Sequence, residues 1–183
     1  MLYRIGRMPE TIVVLDRGEP VALTFEDMLR HHGGGSPGGV AHAFKVLERA
    51  LPLLEPRGAV ERREIAVRTA FGGPGARDAF ELATRAVSEG RYVVDPALAR
   101  PARGRARERF VFELSYRRRT VTLAAREGFV PEELIALARR QTRSAAEERR
   151  FAEVKRQTAE TVMAAAAAEV YEPLDRPAGA RGD

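Results

Sequence analysis

Two glycine-rich turns hold most of the residue types that could do chemistry. The first, His32-Gly33-Gly34-Gly35-Ser36-Pro37-Gly38, follows His31 and opens a segment that carries His42. The second, Phe71-Gly72-Gly73-Pro74-Gly75, opens a segment that carries Asp78. A helix start presents backbone N–H groups without intrahelical acceptors, and glycine lets a ligand approach them closely, so each turn suits an anion. The same glycines serve equally as plain turns between packed helices. All three histidines lie in this region. Imidazole is a common metal ligand, but adjacent His31 and His32 point in different directions on a regular backbone. A site built on them therefore needs a partner from elsewhere, such as Asp78; surface or helix-end histidines are the simpler reading.

The turns also spell shorter motifs. Gly33-x-Gly35-x-x-Gly38 matches a dinucleotide fingerprint, but the residues before it read as helix, so the strand–turn–helix context is missing. Gly34-x-Ser36-x-Gly38 matches a nucleophile elbow. An elbow needs a preceding strand and triad partners downstream, and only His42 lies downstream, which argues against a serine hydrolase. The cysteine count of zero removes disulfides, thiolate zinc sites, cysteine-held iron–sulfur clusters and thiol nucleophiles.

Charge is concentrated in arginine. Of 31 basic residues only Lys45 and Lys155 are lysines, so the pI of about 10.2 overstates a net charge of +5. One local excess stands out: Arg100, Arg103, Arg105, Arg107, Arg109, Arg117, Arg118 and Arg119 face only Glu108 and Glu113, a net +6. Such a strip suits nucleic acid or an acidic partner, through Arg103, Arg105, Arg107, Arg117, Arg118 and Arg119 above all. It also suits a solvated hairpin edge. No apolar run approaches the ~18–20 residues of a membrane span, and the N-terminus lacks a signal-peptide core, so the expected location is cytoplasmic.

The elements that would position these residues are legible as patterns. Thr11 to Leu15 and Val21 to Leu23 flank a turn, predicting a small strand appendage over 1–23. Thr24 and Asp27 form a capping-box variant for a short helix ending at the first glycine run. Ser36-Pro37 starts a second helix with Val40, Phe44, Leu47, Leu51 and Leu54 on one stripe, ended or kinked by Pro52. A strand over 64–70 leads to the second turn and a helix placing Ala76, Phe80, Ala83 and Val87 inward, closed by Gly90. After a short strand over 91–95 and a loop over 96–106, Phe110, Phe112, Leu114 and Tyr116 alternate and pair with 120–124 as a hairpin. Pro131-Glu132-Glu133 begins one helix, and Ser144 to Glu147 caps a long alanine-rich helix to about Val170. The tail over 174–183 reads as disordered. This order predicts an α+β fold: helices on one face of a small mixed or antiparallel sheet, with a long C-terminal helix.

Together, residues 24 to 173 resemble the E-subunit family of formylmethanofuran dehydrogenase. Its H-G-H-x-C-P-G signature aligns with His32 to Gly38, where Gly34 stands for the second histidine and Ser36 for the cysteine. Its C-x-x-D-A aligns with Gly75 to Ala79, keeping Asp78-Ala79 and replacing the cysteine with Gly75. A later T-G-C-T-x-G-K corresponds loosely to Thr84 through Arg91, with Ala86 for the cysteine. The resemblance implies an α+β fold, a homodimer, and a metal-binding cleft lined by both glycine-rich turns. With its soft ligands gone, the frame implied is a degenerate site. It would hold a small anionic ligand through His32, Gly33, Gly34, Gly35, Ser36, Gly38, Gly73, Gly75 and Asp78, or a hard divalent metal on His32, Asp78 and water. A purely structural component of a larger complex would need neither.

Overall fold

The computed structural model describes residues 10–174. The chain opens as a hairpin of β1 (Thr11–Asp16) and β2 (Glu19–Thr24), followed directly by α1 (Phe25–His32). Thr24 caps α1 through a reciprocal bond with Asp27, and Gly33, at φ 84°, ends it. Then α2 (Pro37–Leu54) runs through the middle of the molecule. Its predicted stripe of Val40, Phe44, Leu47, Leu51 and Leu54 is buried, and so are Ala41, His42, Ala43, Lys45, Val46 and Ala50. A helix buried nearly all round belongs at the centre of a core rather than on its surface. Pro52 sits in its last turn, and the helix ends two residues later.

Strand β3 (Ile65–Thr69) leads to α3 (Pro74–Thr84), and β4 (Tyr92–Val94) pairs parallel to β3. The predicted hairpin is present as β5 (Val111–Tyr116) and β6 (Arg119–Ala125). After α4 (Glu132–Ala138) come α5 (Ala145–Ala164), a short α6 (Ala167–Val170) and β7 (Tyr171–Pro173). The large sheet has the order β4-β3-β5-β6-β7, antiparallel except at β3–β4, and the first hairpin stands apart from it. Helices cover the sheet face bearing Ile65, Val67, Phe112, Leu114 and Leu123. The opposite face is polar in its middle, where Arg68 pairs with Asp95 and Glu113 and the Ser115 and Thr120 hydroxyls meet at 3.0 Å, and carries a second, small apolar cluster of Ala70, Leu98, Val111 and Ala124. The architecture is α+β, with helices on one face of a mixed sheet.

Four details differ from the sequence reading, each for a physical reason. The first hairpin is no bare appendage, because Ile12, Val14 and Leu23 join the same core as α2. Helix α3 stops at Thr84 rather than near Gly90. Arg85 turns left-handed at φ 56°, and the Glu81 carboxylate accepts from the Val87 and Ser88 amides. The long alanine-rich helix breaks at Ala165 and Ala166, both extended, so that Tyr171 can bury beside β6. That last strand was not expected. The predicted tail lies outside the described residues beyond Leu174, whose amide donates to the Thr122 carbonyl at 2.8 Å. Among the described residues, no helix is long and apolar enough to cross a membrane.

Candidate functional site

The two glycine-rich turns meet. Each starts its helix with proline in the first turn, and no side chain caps either start: Ser36 and Gly73 occupy the cap positions without a capping bond. At Gly38, Gly39 and Gly75 glycine is required by contact rather than by turn geometry. A Cβ on Gly75 would overlap the Ser36 carbonyl oxygen, and one on Gly39 would stand 3.2 Å from the Ala76 amide nitrogen. A third helix closes against them, since a Cβ on Gly38 would lie 3.2 Å from the Lys155 carbonyl oxygen of α5. Both helix starts therefore bring their positive ends to one place.

Between them lies a cavity of about 160 Å³ lined by Ser36, Gly38, Gly39, Gly73 and Gly75 on one side. Phe71, Phe110, Leu134, Ile135 and Phe151 make the rest of the wall mostly apolar. One cation lines it. The Lys155 ammonium donates to the Gly35 carbonyl at 3.0 Å and rests 4.1 Å from the centre of the Phe151 ring. No carboxylate of the described residues pairs with it; Glu148, which acts on it electrostatically, is bonded to Arg143 at 2.8 Å. Burial, aided by the Arg143 charge, pushes the Lys155 pKa down.

His42 lines the same cavity and is 1% exposed, so it is neither a surface nor a helix-end histidine. Its Nδ1 lies 2.8 Å from the Tyr171 hydroxyl, and its ring packs 4.8 Å from Phe110. Burial lowers its pKa to about 4, against the opposing pull of the Phe129 carbonyl. Burial also raises the Tyr171 phenol, so a neutral imidazole faces an un-ionised hydroxyl near neutral pH.

The predicted ligands divide into two groups. Ser36, Gly38, Gly73 and Gly75 line the cavity; His32 and Asp78 stand beside it and bind each other. His32 Nδ1 lies 2.8 Å from Asp78 Oδ2, Asp78 Oδ1 takes Arg77 at 3.3 Å, and His32 Nε2 is buried without a hydrogen bond. The facing atoms of this pair are thus spent on one another. Among the described residues, no group of three or more histidine, aspartate or glutamate side chains could hold a metal ion. Gly33 and Gly34 supply left-handed backbone, at φ 84° and 82°, and Gly35 supplies the carbonyl for Lys155.

The arginine strip does not form one surface. Arg103 and Arg117–Arg119 flank opposite ends of β5, whose six residues span roughly 20 Å. Arg103 bonds to the Ala125 carbonyl and Glu172, and Arg117 to Glu64 at 2.8 Å. Arg105, Arg118 and Arg119 point to solvent, while Arg107 is half-buried.

Sequence reasoning missed Lys155, His42 as a lining residue, and the aromatic wall. One signal for Lys155 was present: it is one of two lysines in an arginine-rich chain. No protein-family model matches the chain, and no curated protein matches it.

Proposed function

We propose that this chain is a small-ligand-binding protein whose site is the cavity between the starts of α2 and α3, and that its ligand is anionic. The observation that carries this reading is Lys155, a partly desolvated cation without an ion-pair partner among the described residues, at the junction of two uncapped helix starts. The Lys155 ammonium and both helix starts favour a negative charge there, and a mostly apolar wall strengthens their pull on an anion. His32 and Asp78 act on this site through the backbone. Their bond fixes α3 to the end of α1 and so sets the course of the turn that precedes Ser36.

The metal variant has less support. Holding His32 in a bond to Asp78 leaves one imidazole nitrogen and no further ligand from the described residues. Thermal-shift measurements with sodium phosphate, acetate and benzoate, at constant ionic strength, test the anion reading. At least one should raise the melting temperature, by an amount that grows with concentration as linkage requires. Lys155→Met should remove the shift. If no anion raises the melting temperature of the intact chain, the reading fails.

A further inference from the structure

The wall of the cavity says more about the ligand than its charge. We propose, resting on the anion-site reading above, that the ligand is a monocarboxylate whose apolar body is the size of a single benzene ring. Three observations converge on this class. The volume, about 160 Å³, is close to that of an apolar cavity of about 150 Å³ that stays dry and admits benzene. The wall that would hold the body is aromatic and branched-aliphatic: Phe71 and Phe110, whose rings lie 4.4 Å apart, with Leu134, Ile135 and Phe151. Aromatic walls of this kind suit a flat body through offset and edge contacts.

The polar groups then choose the head. Lys155 is a single ammonium, and no arginine fork of the described residues is free beside it. Arg143, the neighbouring guanidinium, is committed to the Leu137 and Arg140 carbonyls, to Glu148 and to the face of Phe151. One point charge with helix-start amides matches one carboxylate. A phosphate dianion would have a second charge against a wall with almost no polar surface. His42 is held neutral at the inner wall and brings no second cation. Ala138 is exposed and also lines the cavity, so it marks the open side.

Isothermal titration calorimetry on the full chain tests the class with four probes: benzoate, acetate, benzyl alcohol and inorganic phosphate. Benzoate should bind with one site per chain and more tightly than the other three. Lys155→Met should weaken benzoate about tenfold or more, towards the level of benzyl alcohol. Ala138→Phe, which fills the open side without entering the core, should abolish benzoate binding while leaving the denaturation midpoint unchanged. Binding of phosphate or acetate at least as tight as benzoate would overturn the aryl-carboxylate class and leave the anion site standing. Equal binding of benzyl alcohol and benzoate would overturn the role given to Lys155 and with it the anion reading. No heat from any probe would overturn both.

Discussion

The two lysines show what single residues do in this molecule. The chain's two lysines are Lys45, fully buried, and Lys155, half-buried at the cavity. Lys45 is held by Glu48 at 2.8 Å and by Glu10, which ties the residue before β1 to the middle of α2. Lys45→Met should destabilise the fold by about 2–3 kcal/mol in urea denaturation. This lies below the usual range for a broken buried pair because both carboxylates reach water. A loss under about 0.5 kcal/mol, the scale of an ordinary surface change, would show that the triad is not coupled to folding. His42 gives a pH dependence of definite sign. Below pH 6.5 the unfolded imidazole takes a proton that the buried ring refuses until about pH 4. Its contribution is therefore whole above pH 6.5, falls as pH is lowered through that window, and reaches a loss of roughly 3 kcal/mol near pH 4. Several carboxylates with lowered pKa values also weaken the fold in acid, Asp16 and Asp27 among them, so the measurement is a difference. Denaturation of the parent and of His42→Gln at pH 7 and pH 4.5 should show the variant losing less stability between the two. Equal slopes would mean that His42 titrates alike in both states.

At the level of elements, the glycines at the starts of α2 and α3 are explained by helix contact. Gly75 is the sharpest case: α2 and α3 come close enough that any Cβ there meets the Ser36 carbonyl. Alanine is the better helix former by about 1 kcal/mol, so propensity alone predicts that Gly75→Ala stabilises. Overlap with backbone predicts the reverse, since neither helix can yield without moving its whole start, and overpacking of this kind costs about 1–3 kcal/mol. Contact should win, with a net loss of up to about 2 kcal/mol and a weakened anion response, because the cavity wall shifts with the helix. Gly58→Ala is the control: nothing lies within 4 Å of the added Cβ, and its φ is not in the left-handed range. It should be neutral or stabilising by a few tenths of a kcal/mol, through the unfolded chain. A stabilised Gly75→Ala would show that α2 and α3 are free to separate and would weaken the case for a fixed cavity.

Across the whole molecule, the parts that could be read from sequence are those set by local pattern. The alternation of Phe110, Phe112, Leu114 and Tyr116 fixed the β5–β6 hairpin, and the caps at Thr24 and Ser144 fixed two helix starts. The glycine-rich turns were visible as helix openings for the same reason. What could not be read depends on distant segments meeting. Lys155 reaches Gly35 across 120 residues, and Tyr171 reaches His42 across 129. No periodicity encodes such pairings. Strand β7 was hidden because an alanine-rich run favours continued helix; the break at Ala165 and Ala166 is imposed by burial of Tyr171 and pairing with β6. The C-terminal strand is then a tertiary element, stable only when docked. It closes one edge of the sheet, its Tyr171 is fully buried among core residues, and its hydroxyl partners the imidazole that lines the cavity. Removing that hydroxyl and removing the ring should therefore differ in kind. Tyr171→Phe should cost about 1 kcal/mol, the worth of one buried hydrogen bond, and leave a single cooperative transition. Tyr171→Ala should cost about 3–5 kcal/mol and loosen β7 and α6 together, because the cavity it leaves adjoins His42 and Phe112. Hydrogen exchange separates the outcomes. In Tyr171→Ala the amides of residues 167–174 should lose protection ahead of the β5–β6 hairpin, whereas simultaneous loss everywhere would mean that the C-terminal strand is no weaker than the core it covers.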